Sequence, residues 1–193
     1  LAASHGKQFA EQWHAMAANA IAAVVADAAR SCSAVAYWAV AEDEALEDPC
    51  WASLPTLTQG VGSLGTRMQR VHAELVARHA GGVLVGADSP QMSASLLRDA
   101  LDWLREPGER LAIGPARDGG FWLFGANRTI AAERWEGVPY SRRDTAKRLR
   151  AAFEGCGTWL ELPTLVDVDT GADVSHCLAA LRALRAPHAA QRE

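Results

Sequence analysis

The sequence predicts an α/β fold in which a sheet is covered by helices on both faces. Short apolar runs alternate with amphipathic stretches of 12 or more residues, the pattern of strands interleaved with helices. A length of 193 residues suits one full-sized core and leaves no room for a second ordinary domain. Apolar residues make up 49% and charged residues 22%, the balance of a soluble globular chain.

The elements follow in order. Residues 7–30 are Ala-rich, with Phe9, Trp13, Ala17, Ile21, Val24 and Val25 near a 3.6-residue period; this predicts a long helix with one broad apolar face. Ala34 to Val40 is apolar on both parities, as a strand covered on both faces would be. The acidic stretch Glu42–Asp48 is a surface connection, and Gly60, Gly62 and Gly65 punctuate the loop before a helix marked by Met68, Val71, Leu75 and Val76. Val83–Gly86 is a short strand, Ser93 opens a helix through Leu104, and Leu111–Gly114 and Phe121–Gly125 are strands. A helix over Arg142–Phe153, a strand over Trp159–Leu162 and a last helix containing Val174, Leu178, Leu181 and Leu184 complete the domain. Residues 1–185 are read as one domain and residues 186–193 as a polar tail that frays.

Composition excludes several classes. Nineteen basic against 23 acidic residues give a net charge of −4, without the basic face of a nucleic-acid binder. No apolar run reaches the ~18–20 residues that span a bilayer. Cys32, Cys50, Cys156 and Cys177 form no C-x-x-C pair and read as reduced thiols of a cytoplasmic protein. The first residue is Leu1, so an upstream segment is expected. Six histidines show no ligand spacing, and no G-x-S-x-G elbow places a nucleophilic serine.

In open α/β sheets ligands collect where loops leave the carboxyl ends of strands. Four segments qualify. Val83–Pro90 carries Asp88 directly after a strand, suited to a hard cation that bridges to phosphates, or to capping a turn. Ile113–Leu123 contains Asp118-Gly119-Gly120, which reads by itself as a hairpin turn. Leu165–Asp173 contains Thr170 and Asp173 at capping-box spacing; Asp167 and Asp169 precede the cap on alternate residues and so share a face, where one or both hold a cation or stabilise the helix start through its dipole. Gln59–Met68 has three glycines before a helix, a turn with free N–H groups for a phosphate.

Taken together, Q-G-V-G-S-L-G-T-R-M, L-V-G-A-D-S-P, G-P-A-R-D-G-G-F-W-L-F-G, V-P-Y-S and D-V-D-T-G-A-D, in this order, resemble a bacterial family of glycosyltransferases of the rSAM/selenodomain-associated type. The resemblance covers roughly residues 57–178. It implies a three-layer α/β/α, mostly parallel, GT-A-like nucleotide-diphospho-sugar transferase fold and a bound Mg²⁺ or Mn²⁺ ion. Asp88 and Asp169 match metal ligands, and Asp118 the residue that orients or deprotonates the acceptor. Gln59, Gly60, Gly62, Gly65 and Arg67 match the segment near the nucleoside; Gly119, Gly120 and Trp122 match the turn on the sugar or acceptor side. The implied partners are a nucleotide-sugar or nucleotide and a small-molecule acceptor, with no nucleic acid and no membrane span.

This chain departs from the family pattern in three places. Ser63 stands where Asp is usual, and A-D-S around Asp88 replaces a D-x-D. The family opens with a strand, a Pro-Gly loop and a Lys-Thr-Arg-Leu run; Leu1 matches the last residue of that run, so the first strand is expected to be missing from this sequence. Two further functions stay open: a nucleotidyltransferase that joins an NTP to a phosphorylated acceptor, and a non-catalytic remnant of the fold.

Overall fold

The computed structural model describes residues 1–192. A short helix α1 (Ala2–His5) leads into α2 (Lys7–Ser31), in which Ala17, Ala20, Ile21, Val24 and Ala28 are buried at helical spacing. Then come β1 (Trp38–Val40), β2 (Thr56–Thr58), α3 (Leu64–His79), β3 (Gly82–Val85) and α4 (Ala94–Arg105). The chain continues through β4 (Arg110–Pro115), β5 (Phe121–Ala126), α5 (Ala132–Glu136), α6 (Thr145–Ala152), β6 (Thr158–Glu161) and α7 (Gly171–Ala183).

The strands form two groups. β1 pairs in parallel with β2, Trp38 opposite Thr56. The larger sheet has the order β3-β5-β4-β6; β4 and β6 are parallel, while β5 runs antiparallel to both β3 and β4. Among the described residues no ladder joins the two groups. β1 and β3 each have one strand partner, and both line a single cavity of about 1100 Å³.

Helices cover both faces, as the alternation predicts. On one face Ile21, Val24 and Ala28 of α2 and Leu97 and Ala100 of α4 pack with Ala112, Trp122 and Leu123. On the other, Trp135 of α5, Leu149 of α6 and Met68 of α3 pack with Leu111, Ile113, Phe124 and Ala126. The switch between Trp122 and Phe124 comes from a bulge: Gly114 pairs with Leu123 and Pro115 with Phe121, leaving Trp122 extra. An inserted residue turns the following side chains to the opposite face. A Cβ on Gly114 would lie 2.3 Å from the Trp122 ring, so the missing side chain at 114 is the space the indole fills.

Two readings change in detail. The strand expected over Ala34–Val40 keeps ladder bonds only from Trp38, because its partner β2 offers three residues. The tail does not fray throughout: residues 189–191 form a 3-10 turn, and Gln191 Nε2 donates to the carbonyls of Pro90 and Met92, both at 2.7 Å.

Candidate functional site

Three segments deliver carboxylates to one rim. β3 is followed by Gly86, whose N–H donates to the Trp122 carbonyl at 2.9 Å, and the next turn presents Asp88. The β4–β5 hairpin presents Asp118, whose Oδ1 accepts the Gly120 N–H at 2.6 Å, so the tip is closed by an Asx turn. The third segment lies along the extension of β4, where Arg117 N–H donates to the Leu165 carbonyl at 2.9 Å and Leu165 N–H to the Pro115 carbonyl at 3.1 Å. Asp167, Val168 and Asp169 follow without helix or turn. Val168 is buried, so alternation turns both carboxylates the other way. Thr170 then starts α7, with N–H and Oγ1 both donating to Asp173 Oδ2, at 2.8 and 2.6 Å.

Oxygens of Asp118, Asp167 and Asp169 all lie within 4.8 Å of one another. Asp88 lines the same cavity as these three, and its carbonyl accepts the Val168 N–H at 3.2 Å. Burial, followed by the charges of Asp118, Asp88 and Asp169, pushes the Asp167 carboxyl up to about 6. Burial, followed by Asp169 and Asp118, raises Asp88. All these donors are oxygens, the ligand type that Mg²⁺ and Mn²⁺ take, and a divalent cation would relieve the repulsion among them.

Asp88, Asp118 and Asp169, the expected metal and catalytic residues, meet at one rim. Of the two aspartates expected to share a face before the cap, Asp167 joins the cluster together with Asp169. Gln59, Arg67, Gly120 and Trp122 also line the cavity. Gln59 Nε2 donates to the Ala39 carbonyl at 2.8 Å, tying the Gly-rich loop to β1. Trp122 is buried, and its indole N–H donates to the Pro163 carbonyl at 3.0 Å. Gly65 packs against Trp135 and Tyr140, where a Cβ would approach to 2.8 and 2.7 Å. Gly60 backs onto Arg70, which donates to the Gln59 carbonyl at 3.0 Å, and Gly62 accepts from Arg67 Nε at 3.2 Å. Gly119 has φ +96° and meets the Arg143 carbonyl where a Cβ would sit 1.9 Å away. That contact brings the Ser141–Arg142 segment to the rim, where Arg142 joins the lining; the helix expected from Arg142 starts only at Thr145, which leaves this arginine in the preceding loop.

Residues 21–142 match the family described as "Uncharacterized protein conserved in bacteria (DUF2064)". Among solved structures, the chain is similar to the crystal structure of a putative nucleotide-diphospho-sugar transferase from Desulfovibrio desulfuricans. The TM-score is 0.72 at 21% identity, over 94% of this chain and 86% of that one, and the likeness establishes the fold. No curated protein matches the chain. No described helix is long and apolar enough to cross a membrane.

Proposed function

The chain belongs to the bacterial DUF2064 family, and from that premise we propose that it is a metal-dependent transferase acting on a nucleotide-diphospho-sugar. The observation that carries the reading is the meeting of Asp118, Asp167 and Asp169, within 4.8 Å, beside Asp88 on the cavity of a fold shared with a protein described as such a transferase. Asp88, Asp167 and Asp169 would hold Mg²⁺ or Mn²⁺, which offsets charge on a departing diphosphate when bound. Asp118 stands at the hairpin tip, where it accepts the proton of an acceptor hydroxyl as that oxygen bonds to the sugar and the nucleoside diphosphate leaves with the bonding pair. Arg67 and Arg142 supply positive charge on the same cavity for the phosphates. Assignment to the rSAM/selenodomain-associated type and a cytoplasmic location, in keeping with four free thiols, belong to the same proposal.

The test is Mn²⁺ binding followed by electron paramagnetic resonance, with and without UDP- or GDP-sugars, in the wild type and in Asp88→Asn and Asp167→Asn. We expect nucleotide-sugar to tighten Mn²⁺ binding in the wild type and each substitution to weaken it by about tenfold or more. Unchanged Mn²⁺ affinity in both variants removes the carboxylates from the site. Pyrophosphate release from an NTP and a sugar phosphate would assign the chain to nucleotidyl transfer instead.

A further inference from the structure

The turn after Asp88 runs into a wholly enclosed segment: Ser89 and Met92 are fully buried and Gln91 is 2% exposed. An amide so deep in the protein must spend both its donor and its acceptor. Gln91 Nε2 donates to the carbonyl of Val166, the residue before Asp167. Its Oε1 accepts the thiol of Cys177 at 3.3 Å, in the interior beneath α7. Burial pushes that thiol up to about 11, so it keeps its proton and remains a donor.

The partner on the second segment is not arbitrary. In an extended chain the carbonyl of one residue and the N–H two residues on point to the same side. Those two groups here are the Val166 carbonyl, taken by Gln91, and the Val168 N–H, taken by the Asp88 carbonyl at 3.2 Å. The Gln91 amide therefore does what a backbone peptide would do in a ladder, supplying the rung next to Asp88. Asp167 lies between the two tethered positions, so its direction follows from theirs.

We propose that Gln91 is a positioning residue for the carboxylate rim, fixing the Val166–Asp169 segment in register against the Asp88 turn. This rests on the reading of the rim as a cation site, and the experiment separates the two. In the full chain, Gln91→Leu removes the rung at similar volume, and Gln91→Asn keeps the amide but shortens its reach. Leu149→Ala, on α6 in the core of the opposite sheet face and outside the cavity lining, serves as a variant destabilised elsewhere. Well below the melting temperatures, two quantities are read: the Mn²⁺ dissociation constant, and hydrogen exchange of the Val168 amide without metal. Both Gln91 variants are expected to weaken Mn²⁺ by about tenfold, as loss of an outer partner of a ligand does, and to lower Val168 protection by about tenfold relative to the β4 amides. Leu149→Ala should leave both unchanged.

Wild-type Mn²⁺ affinity and Val168 protection in the Gln91 variants overturn the proposal. So does a loss of the same size in Leu149→Ala, which would mark Gln91 as a stabiliser only. A wild type that takes no Mn²⁺ overturns the cation reading, while Val168 exchange still decides whether Gln91 holds the segment.

Discussion

At Gly119 one hydrogen atom stands where any other residue has a carbon, and the rim depends on it. Its φ of +96° is disfavoured for an L side chain, and a Cβ would lie 1.9 Å from the Arg143 carbonyl. Gly119→Ala should cost about 1–3 kcal/mol in urea-induced unfolding, from strain and forced backbone movement together, and should weaken Mn²⁺ binding by moving the hairpin tip. The Asp-Gly-Gly sequence is enough to read the turn. It does not reveal the contact with Arg143, because a close approach between segments leaves no periodicity in either. The same limit hides Gln91, whose partners Val166 and Cys177 lie 75 and 86 residues away in the chain.

Helices are legible from their first turns. Ser93 Oγ accepts the Leu96 N–H at 3.4 Å, and Ser63 Oγ accepts the Thr66 N–H at 3.2 Å to open α3. The second cap also accounts for Ser63 where the resembling family has Asp, since serine and aspartate cap with similar strength. Ser63→Asp should therefore leave stability within about 0.5 kcal/mol, while Ser63→Ala should cost about 1 kcal/mol, both measured by urea titration. Elements too short to show a period escape sequence reading. α1, β2 and α5 have four, three and five residues, and each takes its form from neighbours rather than from its own pattern. Strand direction is legible at one place: Asp118-Gly119-Gly120 reads as a hairpin turn, and β5 runs antiparallel to β4 across it.

For the whole molecule, acidity acts in two opposed ways. His72 is 1% exposed, packed against Phe124 and Trp135, and burial lowers its pKa to about 4 from 6.5. The unfolded chain takes up this proton first. Stability is therefore complete above pH 6.5 and falls as pH drops toward 4, by up to ~3 kcal/mol. His72→Leu should flatten that part of a melting-temperature profile. Asp167, raised to about 6, works in the other sense: its charge opposes folding above about pH 6, and protonation between pH 6 and 4 relieves it. Mn²⁺ competes with the same proton, so its affinity should fall as pH drops below about 6, measured by the same resonance titration. Melting profiles of His72→Leu and Asp167→Asn separate the two groups: the first should lose the fall in stability on acidification, the second the opposing gain.

The division between the β1–β2 pair and the larger sheet leaves two strands, each with a single neighbour, around one space. Ala36 and Val83 both line it. Replacing either by anything but proline changes the side chain on the wall and leaves the peptide donors and acceptors as they are. Point mutation can reshape the acidic end of the molecule one residue at a time, whereas the chemistry along this interior edge stays nearly beyond its reach.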